Sequence, residues 1–132
     1  MFKGDNMTEI KRLDKFLWEI PKHNEMLVPA RLYIDESMVK VLQEEEKTDW
    51  SSLRQLKNVA CLPGIQKYAL ALADVHPGYG APIGGVGAFD VENGVITFAL
   101  IGFDINCGVR TLITPLSIND LATKEKRIKL AA

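Results

Sequence analysis

Gly78-Tyr79-Gly80-Ala81-Pro82-Ile83-Gly84-Gly85-Val86-Gly87, continued by the apolar residues 86–91, the tripeptide Glu92-Asn93-Gly94 and a second apolar run over residues 95–103, decides between fold classes. Glycine lets backbone amides approach an anion without a Cβ in the way, so a phosphate-binding loop is the first reading to test. The details refuse it. No Gly-Lys-Ser/Thr follows, and after Gly80 the next glycines stand at 84, 85 and 87, which breaks the G-x-G-x-x-G spacing. A dinucleotide site also needs a helix next, whereas Asn93-Gly94 between two apolar runs predicts a tight hairpin with positive φ at the turn. Two paired, largely buried strands are expected, with the glycines serving close strand packing and bulges.

Working outward toward the N-terminus, Lys15-Phe16-Leu17-Trp18-Glu19-Ile20 reads as a short strand closed by Pro21, and residues 27–34 read as the next. Asp35 can cap the helix that follows, with Met38, Val39, Val41 and Leu42 as its apolar stripe. Glu44-Glu45-Glu46 crowd the negative end of that helix, so fraying into a solvated end is expected there. A second helix from Ser51 to about Val59 places Leu53 and Leu56 on one face, and Pro63-Gly64 stops it. Beyond the glycine-rich stretch, residues 109–114 read as a strand broken by Pro115. Ser117 with Asp120 suggests a capping arrangement for a last helix through Lys129. Helices and strands are segregated rather than alternating, which predicts an α+β fold. Residues 1–14 read as a charged, mobile lead-in, and residues 15–132 as one unit.

Composition supports one compact unit: the chain has 132 residues, 47% of them hydrophobic and 25% charged. With 16 basic against 17 acidic residues the net charge is -1, so no global field draws it to phosphates or anionic lipid. Any nucleic-acid contact must be local. The N-terminus lacks the apolar segment of a signal peptide, and the apolar runs over residues 68–73 and 95–103 fall short of the roughly 20 residues that cross a bilayer. No membrane association and a cytoplasmic location are expected. Cys61 and Cys107 form no C-x-x-C pair and read as free thiols of a reducing compartment.

The densest chemistry lies in Gly102-Phe103-Asp104-Ile105-Asn106-Cys107-Gly108-Val109-Arg110, where an apolar run ends in a carboxylate, a thiol and a guanidinium. A sharp turn there could bring Asp104 and Cys107 to one side, and a carboxylate with a thiolate suits a divalent cation of mixed ligand taste, zinc or manganese. Only His23 and His76 could add imidazole. The competing reading makes Cys107 a small buried hydrophobe and Asp104 the cap of a local turn. Asp74-Val75-His76 is open in the same way: a carboxylate orienting an imidazole, or a histidine held by structural hydrogen bonds. Arg110 could bind a phosphate or pair with a nearby aspartate. Lys124, Lys126, Arg127 and Lys129 read as a solvated helix face.

Taken in order, Asp74-Val75-His76-Pro77-Gly78-Tyr79-Gly80, then Pro82-Ile83-Gly84-Gly85-Val86, then residues 102–110, the chain strongly resembles the N-terminal part of the RtcB family of RNA-splicing ligases. The likeness is densest over residues 70–114. Leu72-Ala73 departs from it, the family having Met-Pro there. The resemblance implies an RtcB-like mixed sheet with flanking helices, incomplete in this chain. It also implies an enzyme family that joins RNA ends bearing a 2',3'-cyclic phosphate or 3'-phosphate to a 5'-hydroxyl end, with GTP as co-substrate and two Mn2+ ions. On that basis Asp104 and Cys107 are metal ligands, the thiolate shared between the two ions, and Asp74 supports nucleotide activation.

Family members are several-fold longer. The resemblance therefore implies that the remaining histidine ligands, the guanosine pocket and the guanylylated histidine lie beyond residue 132. It further implies that a segment truncated at this point leaves apolar strand surfaces uncovered and is inactive alone, with a separate polypeptide that carries the missing part as a candidate partner. Two alternatives stand beside this: a non-catalytic remnant that serves as a binding or interaction module, and a self-contained domain in which Asp104 and Cys107 are structural.

Overall fold

In the computed structural model, the structure describes residues 8–102, 113–123, 125 and 127. Five strands form one mixed sheet in the order β1 (Lys11–Arg12), β2 (Leu17–Ile20), β3 (Ala30–Tyr33), β4 (Ile65–His76) and β5 (Ile83–Phe89). Three junctions are antiparallel and β3 runs parallel to β4. A parallel pair needs a crossover, and α1 (Glu36–Glu45) and α2 (Ser52–Val59) supply it. A four-residue α3 (Phe98–Ile101) and a 3-10 turn (Ile118–Leu121) follow β5. The expected α+β class is what the chain forms. Of residues 1–14, positions 8–14 are described: Thr8 is buried, and Lys11 and Arg12 pair with Glu19 and Trp18 of β2.

Both helix starts are those expected. Asp35 accepts the Met38 amide proton at 2.9 Å and Ser51 that of Arg54 at 3.2 Å. One face of the sheet, carrying Trp18, Ile20, Ala30, Leu32, Ala69, Ala71 and Val75, forms one buried core with Val39 and Leu42 of α1 and Leu53, Leu56 and Val59 of α2. The small side chains of Ala69 and Ala71 leave room for the helix layer against the middle of β4. On the other face Arg31 Nε donates to Glu19 Oε2 at 2.9 Å while its guanidinium lies 3.8 Å from the Tyr68 ring centre.

The glutamate run is not a solvated end. Glu45 accepts from the backbone amide and hydroxyl of Ser52, at 3.2 and 3.1 Å, and so caps the next helix. The side chain of Glu46 is only 10% exposed and accepts from Lys57 Nζ at 2.8 Å, from the Thr8 amide at 2.9 Å and from the Thr8 hydroxyl. Lys57 also donates to Thr8 Oγ1 at 2.6 Å. Burial pushes the Glu46 carboxyl up, but the Lys57 ammonium and the two Thr8 donors outweigh it and hold the group below the usual glutamate range. Only Glu44 stays at the surface, paired with Lys47.

The expected hairpin over residues 86–103 does not form. β5 starts earlier, at Ile83, and its partner is β4, with Leu70 opposite Val86 and Ala71 opposite Gly85. Of the second expected strand, position 103 lies outside the described residues, and residues 95–102 make no strand, since Thr97 is the N-cap of α3. The turn at 90–94 explains the change. Asp90 Oδ1 accepts the amides of Glu92 and Asn93 at 3.0 and 2.8 Å, and Gly94 N donates to Asp90 O at 2.9 Å. Neither Asn93 nor Gly94 takes positive φ. Close approach makes both glycines necessary instead: a Cβ on Gly94 would meet the Asp90 carbonyl oxygen, and one on Gly64, whose φ is +77°, would meet the Gly94 Cα. The chain is thereby turned back over the start of β4 and away from the free edge of β5.

Toward the C-terminus, Asp120 Oδ2 accepts from both the amide and the hydroxyl of Ser117 at 2.8 Å, the expected capping arrangement, although the turn it caps is 3-10. Of the strand expected over residues 109–114, positions 109–112 lie outside the described residues, and Ile113 and Thr114 are not in a strand.

Candidate functional site at the end of β4

The last residues of β4 leave the regular ladder. Between the pairs Ala71–Gly85 and His76–Ile83, four residues of β4 face one residue of β5, Gly84. Such a bulge bends the strand and re-aims its side chains. Val75 stays in the core, while Asp74 and His76 are exposed, as strand alternation requires of positions i and i+2. Gly84 has φ +70°, and a Cβ there would lie 2.5 Å from Asp74 Oδ1. The Asp74 carboxylate thus rests against a backbone that only glycine provides.

His76 is oriented, though not by a carboxylate. Its Nδ1 lies 2.8 Å from the Asp74 carbonyl oxygen. A carbonyl can only accept, so Nδ1 carries the proton and the neutral ring leaves Nε2 as the acceptor. The reading in which the Asp74 carboxylate orients the imidazole gives way to one in which the Asp74 main chain does so.

After His76 the chain turns through Pro77 and Gly78, and here α2 intervenes. Gln55 Nε2 donates to Gly78 O at 2.6 Å while Gly78 N donates to Gln55 Oε1 at 2.8 Å. This two-way amide clip fastens the turn to the helix layer and fixes where Tyr79 is presented. Tyr79 is 71% exposed and meets Trp50 edge-on, with ring centres 6.0 Å apart. Sequence reasoning missed Gln55, because nothing in residues 51–59 marks one polar side chain as the partner of a turn 23 residues away.

Asp104, Cys107 and Arg110 lie outside the described residues, as do Lys124, Lys126 and Lys129. Among the described residues no three histidine, cysteine, aspartate or glutamate side chains gather in a way that could hold a metal ion. The other candidate donors have structural roles: His23 Nδ1 lies 2.9 Å from the Pro21 carbonyl, and Cys61 Sγ donates to Lys57 O at 3.2 Å. Burial pushes the Cys61 thiol up, away from the thiolate a metal or an oxidant would need. Also among the described residues, no helix is long and apolar enough to cross a membrane.

A mixed sheet ending in an exposed carboxylate and an oriented imidazole, followed by a clipped glycine turn, describes a class of site and no single protein. Comparison with known proteins narrows it. The profile of the family described as "tRNA-splicing ligase RtcB" matches residues 55–131, so that Gln55 is the first residue matched and both members of the clip fall inside. Proteins named tRNA-splicing ligase RtcB are similar over most of the chain. That of Thermococcus kodakarensis is 45% identical over 123 residues, 92% of this chain and 24% of the relative. That of Nanoarchaeum equitans is 42% identical over 113 residues, 86% and 23% respectively. That of Pyrococcus horikoshii is 54% identical over 107 residues, 78% of this chain and 12% of the relative. This chain belongs to the RtcB family, and it spans about a quarter or less of the length of these relatives.

Proposed function

We propose that this chain is the N-terminal portion of a GTP- and manganese-dependent RNA ligase. The complete enzyme joins 2',3'-cyclic phosphate or 3'-phosphate RNA ends to 5'-hydroxyl ends, in transfer-RNA splicing and RNA repair in the cytoplasm. Residues 15–132 are its share of the RtcB-like ligase fold, and the remaining polypeptide completes the site. What carries this reading is the ordered set of motifs from Asp74 through Gly84 to Cys107, all of it inside the family match. Asp74 is the catalytic contribution, supporting nucleotide activation from the end of β4.

Asp104 and Cys107 are the metal ligands of the proposal. One carboxylate oxygen and one thiolate suit manganese or zinc, and two donors fall short of a closed site, so further ligands come from the rest of the polypeptide. Bound there, divalent cations neutralise charge that develops on transferring phosphoryl groups. The chain's own part is to present Asp74 on a bulged strand and to fix the turn after it through Gln55.

On this reading the chain alone forms no covalent GMP adduct with labelled GTP and manganese, and a labelled band on this polypeptide would overturn it. Manganese calorimetry tests the ligand pair: any binding heat of the chain is lost in Asp104→Ala and in Cys107→Ala, and heat retained by both removes the metal assignment. When the remaining polypeptide of an RtcB ligase is supplied and RNA joining is restored, Cys107→Ala abolishes joining while Lys126→Ala leaves it within about twofold, the ordinary size of a surface change.

A further inference from the structure

Beside the candidate site an open groove of about 270 Å³ runs between the end of α2, the turn after Gly78 and α3, with Asn58, Leu62, Tyr79, Thr97 and Phe98 among its walls. Its rim is apolar and open to solvent: Phe98 is 73% exposed, and the neighbouring Ile96 and Ile101 are 97% and 66% exposed. Removing side chains of this size from water is favourable, so a cluster left open marks a surface that another body covers.

We infer that this groove seats an apolar segment of the remaining polypeptide of an RtcB-type ligase. The inference rests on the proposed function and names where the two parts meet. Two observations select that occupant. Among the described residues none that lines the groove is charged, whereas an RNA strand needs lysine or arginine along its path to offset its phosphates. And 92% of this chain aligns with the Thermococcus relative while covering 24% of it, so that relative carries the matching segment within a polypeptide about four times as long. The position is consequential as well, because Tyr79, Gly80 and Ala81 of the groove continue the turn that leaves Asp74 and His76. A segment docked there brings its own residues to the end of β4.

The test mixes the full 132-residue chain with the part of the Thermococcus kodakarensis ligase that lies outside the alignment, and reads binding by calorimetry and amide hydrogen exchange by mass spectrometry. The expected result is binding that slows exchange over residues 97–101 and weakens at least tenfold in Phe98→Glu and in Ile96→Glu. Val41→Glu, at a comparably exposed apolar position on α1, leaves affinity unchanged. Binding of the unaltered chain without protection at 97–101, and with all three variants alike, overturns the inference while the proposed function stands. No binding at all counts against both. Self-association of the chain that Phe98→Glu abolishes, or binding of a short uridine-rich RNA that it abolishes, assigns the groove to a different occupant and overturns the inference too.

Discussion

Residues 8–89 and the described residues between 90 and 121 of the same chain differ in how much apolar surface they leave open, although Ala99 and Leu100 of the second region pack against the core of the first. In the first region the sheet and two helices close over one core in which Ile20, Ala30, Leu32, Leu53 and Ala69 are fully buried. In the second, Val91, Ile96 and Ile113 are almost completely exposed, and α3 begins without a side-chain cap. Both regions are rich in valine, isoleucine, leucine and phenylalanine, so composition does not separate them. The difference lies in what each can pair with. β2, β3 and β4 find partners within the chain, whereas the turn at Asp90 and the Gly64–Gly94 approach carry residues 95–101 off the edge of β5, where among the described residues no strand receives them. An apolar run without a strand partner satisfies its main chain locally, and a one-turn helix does so at the smallest cost in ordered residues.

The contrast breaks most readily at the buried ion pair. Removing one member of such a pair strands the other charge in the core, so Lys57→Ala lowers stability by about 3–5 kcal/mol in urea unfolding. It also frees Thr8, which Lys57 and Glu46 hold together. A loss below 1 kcal/mol would show that the pair is solvated and that the first region is less closed than its geometry states.

Next in size is Gly84→Ala. Alanine at φ +70° costs roughly 1–2 kcal/mol, and its Cβ would collide with Asp74 Oδ1. Stability falls by about that amount, and the Asp74 and His76 resonances in a carbon–proton NMR spectrum shift while those of Leu53 and Leu56 do not. Unmoved Asp74 signals would mean that the carboxylate does not rest on Gly84.

A smaller effect separates the regions by pH. The carboxyl of Glu46 titrates below its ordinary value when the chain is folded, because the Lys57 ammonium and the Thr8 donors outweigh its burial. The folded state therefore binds the proton less readily than the unfolded one, and the stabilisation is fully present above that ordinary value. It is lost as the pH falls through the lowered folded value. Melting temperature should drop across this acid window, and the drop should be shallower in Glu46→Gln. An equal slope in the variant would place the acid sensitivity elsewhere.

What was legible in the sequence follows the same division. Asp35 and Ser51 announce their helices because a cap is a local device, decided within three residues of the helix start. β4 was not legible as a strand: its buried positions are Ile65, Ala69, Ala71 and Val75, and two register shifts against β5, one of them near Lys67 with φ 53°, interrupt the alternation that marks a strand. The roles of Glu45 and Glu46 were hidden for another reason, since their partners Ser52, Lys57 and Thr8 stand 7, 11 and 38 residues away. At the candidate site, motif order picked out Asp74 and His76, but the backbone carbonyl that orients the imidazole and the Gln55 clip exist only once β4 bulges and α2 packs. Asp104 and Cys107, the other half of the candidate site, lie outside the described residues.

The smallest expected effect is the most telling about the second region. Ile96 is 97% exposed, so replacing it by serine removes almost no buried area, and the stability of the isolated chain should stay within about 0.5 kcal/mol. A core isoleucine shortened in the same way loses several times as much. Solubility should rise, because an exposed apolar side chain in an uncharged surrounding favours association. If Ile96→Ser instead unfolds the chain or costs more than 2 kcal/mol, Ile96 belongs with Ala99 and Leu100, which pack against the core. The near-neutral outcome means that the isoleucine does nothing for the fold of this chain, which is the behaviour of a residue whose partner lies on another body.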